Sequence, residues 1–356
     1  MTSSNLHGCA DGAELVLTEV FAGAHVFSVN LGDRIHFDAE VPATVAAGDN
    51  TVDVALRRGA TLTVSMVEGA GGAVADGCVD LAKLGETYGF SGNTNCSDWG
   101  STPGTVVVGP LEAGTYQVFA DPRDDALGMQ WVGATGGTGD RDAALRVTVA
   151  AGDQATLPAV RFDRAGTIRG KVTDAATGAP VPWACVWVAA LPTFFGDGCP
   201  AGTGEDGTYT IPGVGPYAWP VEFFKQGYQW RWSGNAVNRH EATPVTVRPG
   251  KSVAANIKLR AGGGTLTGTL RDASGHSVSG TVLVVDAVSG EAVQFGGYAD
   301  GSDSPYTITN IAPQQVKIAY RAERGRRGWV GGTDLASAQV YQIKNNRTLT
   351  VNVTVA

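Results

Sequence analysis

The sequence predicts an all-β chain of tandem β-sandwich domains, and three observations support this prediction. The chain of 356 residues contains 50 Gly and 16 Pro, without sustained helical periodicity, and this combination is typical of short strands joined by tight turns. Alternating apolar residues recur along the chain, as in strands with one buried face. One pattern also repeats at a spacing of roughly a hundred residues, which suits a small sandwich domain rather than a solenoid unit.

The repeated pattern consists of a V-x-V strand, a turn ending in Gly, an alternating strand, a Gly-rich hinge and then T-L-x-G-x-L. It occurs four times, the last copy without its second half, at 44–64, 147–172, 245–270 and 340–356. The pattern divides the chain into an incomplete sandwich followed by three full sandwich repeats, of which the middle one is best preserved. The expected domain boundaries are 1–57, 58–163, 164–260 and 261–356.

The N-terminal segment, 1–57, resembles the second half of a sandwich. A turn and strand begin at Asp11-Gly12, a second strand follows at 21–27, and the closing strand lies at 52–56. Half a sandwich cannot bury both faces of its sheet. We therefore expect this segment to be the least stable part of the chain.

The start of the chain also resembles the middle of a domain. When Asp11-Gly12 is aligned with Asp206-Gly207, Cys9 falls where Cys199 stands, and its partner would precede Met1. We interpret this as a chain that begins inside a domain, with the first strands and a signal upstream. The alternative is a genuine start whose half-sandwich is completed by a strand of another chain, which allows head-to-tail self-association through 1–57.

In the full repeats, strand alternation assigns the inward positions. The opening strands place these residues inward: Leu62, Val64 and Met66; Ile168, Gly170 and Val172; Leu266, Gly268 and Leu270. The second strands contribute Gly77, Val79 and Leu81; Ala184, Val186 and Val188; Gly280, Val282 and Val284. We expect these two sets to face each other across the core of each sandwich.

Four cysteines predict two disulfides. Cys78 and Cys96 lie in the first full repeat, Cys185 and Cys199 lie in the second, and each pair brackets a Gly-rich excursion between two strands. Pairs inside one domain without C-x-x-C spacing indicate disulfides and an oxidising compartment. The third repeat has no cysteine, so its core alone must stabilise it.

Composition excludes several classes of protein. The net charge of −8, with 17% charged residues, argues against a nucleic-acid partner, which requires a basic face. No run of eighteen apolar residues exists, so we expect no membrane span. The first residues lack a charged n-region and an apolar core, so they are not a signal peptide. We expect a secreted or cell-surface protein whose signal lies upstream of Met1.

Motifs in the second full repeat carry a family resemblance. Gly170-Lys-Val-Thr-Asp174, Thr177-Gly-Ala-Pro-Val181, Asp206-Gly-Thr-Tyr-Thr-Ile211 and Gly213-Val-Gly-Pro-Tyr217 resemble the carboxypeptidase regulatory-like repeats. These transthyretin-like domains, related to the collagen-binding B type, occur in tandem in secreted actinobacterial proteins. The resemblance implies Greek-key, Ig-like or transthyretin-like sandwiches that serve as appendages of enzymes or stalks of surface proteins. Such motifs specify turns and core positions, not chemistry.

No catalytic signature is complete. The five histidines include no H-E-x-x-H, so the zinc site of a carboxypeptidase is absent. The G-H-S-V-S at 275–279 lacks the last Gly of a nucleophile elbow, and Gly250-Lys-Ser252 lacks the first Gly of a phosphate loop. We predict that the chain is not an enzyme and has no cofactor.

The residues fit neither an internal amide bond nor a calcium site. An internal amide bond between Lys171 and Asn256 would join the first and last strands of the second full repeat, but alternation points Lys171 outward, and we expect both side chains to be solvated. Acidic loops could bind calcium, but none has the D-x-D-x-D-G spacing. We expect turn-forming Asp residues and no metal site at Asp121, Asp124, Asp125, Asp140, Asp142, Asp300 and Asp303.

Tryptophans are the remaining candidate binding residues, because aromatic rings stack on sugars and anchor interfaces. Three recur before the closing strands, where core or inter-domain packing is the favoured interpretation: Trp131, Trp230 and Trp329. For three others, packing and ligand binding are equally compatible with the sequence: Trp183, Trp187 and Trp232. Of these, Trp183 and Trp187 share the face of Cys185, which should point away from the core.

The leading functional prediction is a non-catalytic extracellular scaffold, stalk or adhesive module, because the Gly-rich hinges are too short to let neighbouring domains separate. One alternative is an array of carbohydrate-binding modules, similar to starch-binding domains, on a secreted glycoside hydrolase. Another is a subunit of a head-to-tail extracellular assembly. The predicted partners are accordingly a polysaccharide, another surface protein or a second copy.

Overall fold

A computed structural model describes residues 14–69, 71–85, 95–96, 102–188, 199 and 201–355. These residues form 32 strands, which confirms the predicted all-β class. Three 3-10 turns interrupt the strands, at Arg141–Ala143, Ser233–Asn235 and Glu323–Gly325. None of the helical segments found in this part of the chain has the length and apolar character needed to cross a membrane.

The chain divides into two compact units. The first comprises Met1–Leu62, Gly109–Ala113 and Val149–Ala155. The second comprises Thr63–Val108, Gly114–Thr148 and Thr156–Ala356. We use "N-terminal segment" for 1–57, and "repeat 1", "repeat 2" and "repeat 3" for 58–163, 164–260 and 261–356.

The first unit contains an antiparallel hairpin. Strands β1 (Gly23–Val29) and β2 (Ala39–Val45) pair over their full lengths, with Val26 opposite Pro42. Alternate residues of both strands are half-buried and the others are exposed, while Val45 alone in the hairpin is buried. One face of the hairpin therefore has partial cover. The closing strand predicted at 52–56 is not formed, and β2 at Ala39–Val45 pairs with β1 instead.

The strands of repeat 1 form two sheets. One sheet has the order β5-β4-β7-β8-β9, with β10 also on β7; the other has the order β11-β3-β12, with β6 also on β3. Its strands are β3 (Ala60–Glu68), β4 (Cys78–Lys83), β5 (Asn95–Cys96), β6 (Thr105–Leu111), β7 (Gly114–Asp121), β8 (Gln130–Val132), β9 (Gly137–Thr138), β10 (Val147–Val149), β11 (Gln154–Thr156) and β12 (Val160–Phe162).

Repeat 2 uses the same order of elements. Its strands are β13 (Gly166–Asp174), β14 (Cys185–Trp187), β15 (Ala201–Gly202), β16 (Thr208–Val214), β17 (Ala218–Trp219), β18 (Glu222–Phe224), β19 (Arg231–Trp232), β20 (Val245–Thr246), β21 (Ser252–Ala254) and β22 (Ile257–Leu259). One sheet has the order β16-β13-β21, with β22 also on β13, and the other has the order β15-β14-β18-β19. The predicted inward residues Ile168 and Val172 of β13 meet Val186 of β14 in the buried core.

Repeat 3 again has ten strands in the part that the structure describes. They are β23 (Gly264–Gly268), β24 (Leu270–Asp272), β25 (Ser279–Asp286), β26 (Gly297–Asp300), β27 (Tyr306–Ile311), β28 (Gln315–Ala322), β29 (Arg327–Trp329), β30 (Tyr341–Gln342), β31 (Thr348–Thr350) and β32 (Val353–Val355). Leu266, Val282 and Ile318 lie in its core with less than 1% exposure. A continuous apolar core thus forms in this repeat without a disulfide.

The opening strand of each repeat pairs in parallel with its closing strands. In repeat 2, β13 pairs in parallel with β21 and β22. A Cβ atom at Gly170 would lie only 2.1 Å from the carbonyl oxygen of Ala255, and the hydroxyl of Tyr209 donates a hydrogen bond of 2.5 Å to that same oxygen. The glycine on the opening strand therefore leaves room for the closing strand. The tyrosine after the Asp-Gly turn binds the closing strand at the same carbonyl group. Repeat 3 has the same arrangement at Gly268, Tyr306 and Val351.

An asparagine bridges the break between the two closing strands. The Asn256 Oδ1 accepts a hydrogen bond of 2.8 Å from the backbone amide of Lys171, and both residues are exposed. In repeat 3, Asn352 Oδ1 accepts the equivalent bond from the Thr269 amide at 3.1 Å. Repeat 3 has threonine at the position where repeat 2 has lysine, yet the hydrogen bond from the backbone amide is the same. The asparagine therefore joins the backbones of the opening and closing strands in both repeats.

Both predicted disulfides are present. Cys78 is bonded to Cys96, and Cys185 is bonded to Cys199. Each closes a short loop beside the second strand of its repeat. The remaining cysteine, Cys9, lies outside the described residues.

Candidate functional site: the junctions between the repeats

The six tryptophans singled out in the sequence occupy different environments. Trp131, Trp230 and Trp232 are buried. Two are half-buried, Trp187 and Trp329. Only Trp183 is widely exposed, with 66% of its surface accessible. Because Trp131, Trp230 and Trp232 are buried, they offer no ring face on which a sugar could stack. Sugar binding by the tryptophans stays a prediction, and Trp183 is its best candidate.

Two buried tryptophans, Trp131 and Trp219, lie at the junction between repeats 1 and 2. Phe119 and Trp131 from repeat 1 share a single core with Trp219 from repeat 2. The Phe119 ring centroid lies 5.3 Å from that of Trp131 and 6.5 Å from that of Trp219, both with edge-to-face geometry. Such aromatic pairs stabilise beyond the area they bury. The apolar core therefore runs without interruption from one repeat into the next.

Main-chain contacts also cross this junction. The Met129 amide donates to the Gly213 carbonyl at 2.8 Å, and the Gly215 amide donates to the Met129 carbonyl at 3.1 Å. A Cβ atom at Gly128 would lie 2.4 Å from the Cα of Gly215. The two backbones approach so closely that glycine is required at Gly128.

A tyrosine completes the junction. The Tyr217 hydroxyl lies 2.6 Å from Gln130 Oε1 and 2.9 Å from Asp163 Oδ2, both in repeat 1. Burial and the neighbouring Asp163 carboxylate raise the pKa of Tyr217 above its ordinary value. The hydroxyl therefore stays protonated and remains a hydrogen-bond donor across the junction.

Repeats 2 and 3 meet through the outer face of the β14–β18–β19 sheet. Trp230 and Phe224 pack against Phe295 of repeat 3, and the ring centroids of Trp230 and Phe295 are 4.9 Å apart at 88°. Trp187 and Cys185 border the same cluster. The face that strand alternation points away from the core of repeat 2 is thus covered by the next repeat.

Arg239 links all three repeats. Its side chain is only 4% exposed, and its Nε donates to both oxygens of Glu291 in repeat 3, at 2.8 and 3.1 Å. Its Nη1 lies 3.0 Å from Asp140 Oδ1 and its Nη2 lies 2.9 Å from Asp142 Oδ1, both in repeat 1. Burial alone would lower the pKa of Arg239, but Glu291 and Asp142 outweigh it and raise that pKa. The guanidinium is therefore a permanent charge that binds carboxylates on either side of repeat 2.

Two more ionisable groups surround this linkage. Arg141 Nη1 lies 3.7 Å from Glu291 Oε1, and burial lowers the pKa of Arg141. Glu222, on β18, is 7% exposed. Its burial and the proximity of Glu291 raise the pKa of Glu222 to about 8. Glu222 is consequently neutral at pH 7, which avoids a second negative charge beside Glu291. We call Asp140, Arg141, Asp142, Glu222, Arg239 and Glu291 the junction cluster.

Aspartates of the acidic loops that were considered as calcium ligands accept hydrogen bonds from the backbone of their own turns. Asp121 Oδ1 accepts from the Arg123 amide at 2.9 Å, and Asp300 Oδ1 accepts from the Ser302 amide at 2.9 Å. Asp140 caps the turn at Arg141–Ala143 and also binds Arg239. Within the described ranges, no group of three or more His, Cys, Asp or Glu side chains converges as a metal site would.

Comparison with known proteins assigns one repeat to a family. A family model for the carboxypeptidase regulatory-like domain matches residues 167–260, which is close to the whole of repeat 2. No curated protein matches the chain.

Solved structures show a loose likeness to the chain. The Bacillus anthracis TIE protein shares 14% identity over 90% of this chain, with a TM-score of 0.22, and this chain covers 54% of its length. A streptococcal ancillary pilin shares 10% identity over 83% of this chain and 98% of its own, with a TM-score of 0.23. The major pilin subunit of Bacillus cereus shares 11% identity over 83% of this chain and 99% of its own, with a TM-score of 0.19.

These structural similarities are too weak to support a functional conclusion. The assignment depends instead on the family match and on the agreement between its motifs and the observed strand crossing at Gly170, Tyr209 and Ala255. Residues 167–260 of this chain therefore form a β-sandwich that is similar to the carboxypeptidase regulatory-like domain.

Proposed function

We propose that the chain is a non-catalytic scaffold of the cell exterior, which holds whatever is attached to it at a fixed spacing. The observation that carries this proposal is the junction cluster, in which one buried arginine binds carboxylates from repeats 1 and 3. Domains joined only by flexible linkers are expected to move independently. A shared apolar core and a buried charge network instead favour one fixed arrangement of the three repeats.

An extracellular or cell-surface location accompanies this role. The disulfides Cys78–Cys96 and Cys185–Cys199 are of the kind that persists in oxidising compartments and is rare in the cytosol. The motifs shared by the repeats also specify main-chain crossings and turns, and these features support architecture rather than reactivity.

Inter-repeat distances test the scaffold proposal. Spin labels at Thr135→Cys in repeat 1 and Val288→Cys in repeat 3, both exposed, report the distance between the repeats when Cys9 is replaced by serine. The proposal expects one narrow distance distribution in the otherwise native chain. Arg239→Ala should broaden it, whereas Arg169→Ala, an exposed arginine of repeat 2, should leave it unchanged. A broad distribution in the native chain would contradict the proposal.

A second candidate function is polysaccharide binding, and the observation that favours it is Trp183. This residue is 66% exposed and has a left-handed backbone conformation with φ of 57°. An aromatic residue rarely adopts that conformation, and such strain is often found at functional positions. Trp183→Ala should abolish binding to a polysaccharide that the native chain retains on a glycan array. Tyr298→Ala, which removes an equally exposed ring from repeat 3, should preserve binding, and equal loss in both variants would exclude this site.

A further inference from the structure

Among the described residues, both outer edges of the N-terminal hairpin are unpaired. β1 pairs with β2 from Gly23↔Val45 to Val29↔Ala39, and no other strand of the described residues pairs with β1. In repeat 2, by contrast, β18 lies between β14 and β19 and is paired on both sides. An unpaired edge presents alternate backbone amides and carbonyls that can extend the sheet into another chain.

The two edges of the hairpin differ in their protection. β2 contains Pro42, which lacks an amide hydrogen, and the acidic residue Glu40. Both features block edge-to-edge pairing in natural sheets. The sequence of β1, GAHVFSV, contains neither proline nor a Lys, Arg, Asp or Glu residue. Only the β1 edge is therefore competent for pairing.

Exposed apolar residues are concentrated in the part of the sequence that contains β1. Nine large apolar residues of the described chain are exposed, and five of them lie between residues 15 and 31. Val26, at the centre of β1, is 62% exposed, and Phe21, just before the strand, is 74% exposed. Apolar exposure of this density marks an interaction surface.

The β1 sequence is complementary to itself in the antiparallel direction. When two copies are aligned about Val26, Val26 faces Val26 of the second copy, His25 faces Phe27, and Ala24 faces Ser28. No pair places like charges opposite each other, and valine and aromatic pairs of this kind stabilise antiparallel sheets. A strand of unrelated sequence would have no such two-fold relationship to β1.

We propose that β1 strands from two copies of this chain pair antiparallel about a two-fold axis at Val26, forming a four-stranded sheet of order β2-β1-β1-β2. Such an isologous contact closes with two copies. It differs from head-to-tail association, which continues into larger assemblies. The inference concerns the first unit alone and does not depend on the scaffold function.

Sedimentation analysis of the full chain with Cys9→Ser tests the oligomeric state. The proposal expects a monomer–dimer equilibrium with no larger species. Val26→Lys would place two positive charges opposite each other and should weaken dimerisation by roughly tenfold. Val288→Lys, a matched change at an exposed valine of repeat 3, should leave the dimer intact. Circular dichroism checks that both variants retain the native strand content.

A cysteine at the two-fold axis tests the register. Cβ atoms of directly opposed residues in an antiparallel pair lie about 4.5–5.5 Å apart, close enough for a disulfide after small adjustments. Val26→Cys should therefore form a disulfide-linked dimer on mild oxidation, whereas Thr44→Cys on β2 should not. A monomer at every concentration, species larger than a dimer, a dimer indifferent to Val26→Lys, or no cross-link through Val26→Cys would each overturn the proposed pairing.

Discussion

Arg239 and Glu291, 52 residues apart in sequence, form the closest ion pair of the junction cluster. Arg239 Nε lies 2.8 Å from one carboxylate oxygen of Glu291 and 3.1 Å from the other. The arginine comes from repeat 2 and the glutamate from repeat 3, while the other guanidinium nitrogens bind Asp140 and Asp142 of repeat 1. Planar, multidentate recognition of carboxylates is specific to arginine. A single side chain of repeat 2 thus contacts carboxylates from both neighbouring repeats.

Removing this side chain should destabilise the second unit strongly. Arg239→Ala leaves the Glu291 carboxylate, 82% buried as a side chain, without its main partner. Loss of one partner of a buried ion pair typically costs about 3 to 5 kcal/mol. Urea unfolding followed by tryptophan fluorescence should show that decrease in the free energy of unfolding.

Two further variants separate this linkage from general effects. Arg169→Ala removes an exposed arginine from β13 and should change the free energy of unfolding by less than about 0.5 kcal/mol. The double variant Arg239→Ala/Glu291→Ala should be markedly less destabilised than the sum of its single changes, because the two residues interact directly. Additive effects would show that the ion pair contributes nothing of its own.

Glu222 should make stability depend on pH. The native pKa of about 8 exceeds the ordinary value of 4.5, so between these two pH values the native state binds more protons than the unfolded state. The free energy of unfolding must therefore decrease as pH rises from about 4.5 to about 8, and the loss is complete above that range. Glu222→Gln keeps the shape of the side chain but cannot ionise.

The difference in the free energy of unfolding between the native chain and Glu222→Gln reports the titration of Glu222 alone, because all other titrating groups are common to both. The variant should be the more stable of the two at pH 9, by up to about 5 kcal/mol, and the advantage should disappear near pH 4.5. Urea unfolding at intervals between these limits measures it. A constant difference across the range would mean that Glu222 has an ordinary pKa in the folded chain.

The disulfide of repeat 2 should stabilise its domain by constraining the unfolded chain. Cys185 and Cys199 are 14 residues apart, and closing a loop of this size contributes about 3 kcal/mol in the chain-entropy model. The double variant Cys185→Ala/Cys199→Ala should therefore unfold at lower urea concentration than the native chain. A reductant also opens Cys78–Cys96, so it should destabilise the native chain by at least as much as the double variant is destabilised. Equal stability of oxidised and reduced protein would contradict this account.

The sequence was sufficient for the fold because its signals are local. Alternation along a strand, the Asp-Gly turns and the cysteine pairs each lie within about twenty residues, and they correctly predicted the core positions Ile168 and Val186 and both disulfides. Because the pattern repeats, the strand assignments of the clearest repeat could be applied to the others.

The junctions could not be predicted in the same way. Alternation correctly places Trp187 on the outer face of repeat 2, but it cannot tell that Phe295 of the next repeat covers this face. Likewise, Arg239 binds residues that precede it by about a hundred positions and follow it by about fifty. No local pattern connects them, so only the three-dimensional arrangement of the repeats reveals the cluster.

The main-chain crossing at Gly170 should be the least tolerant position of repeat 2. Gly170→Ala would bring a methyl group within 2.1 Å of the Ala255 carbonyl oxygen, and displacement of packed backbone of this kind costs about 1 to 3 kcal/mol. Gly202→Ala is the matched control, because a Cβ atom there meets nothing within 4 Å, and it should be neutral.

Tyr209→Phe removes only the hydroxyl that binds the Ala255 carbonyl and should cost about 1 kcal/mol. Because Gly170 and Tyr209 meet at one oxygen, the double variant should lose less than the sum of the two changes. Full tolerance of alanine at Gly170 would show that the opening and closing strands can separate there, and the shared frame of the repeats would then need another explanation.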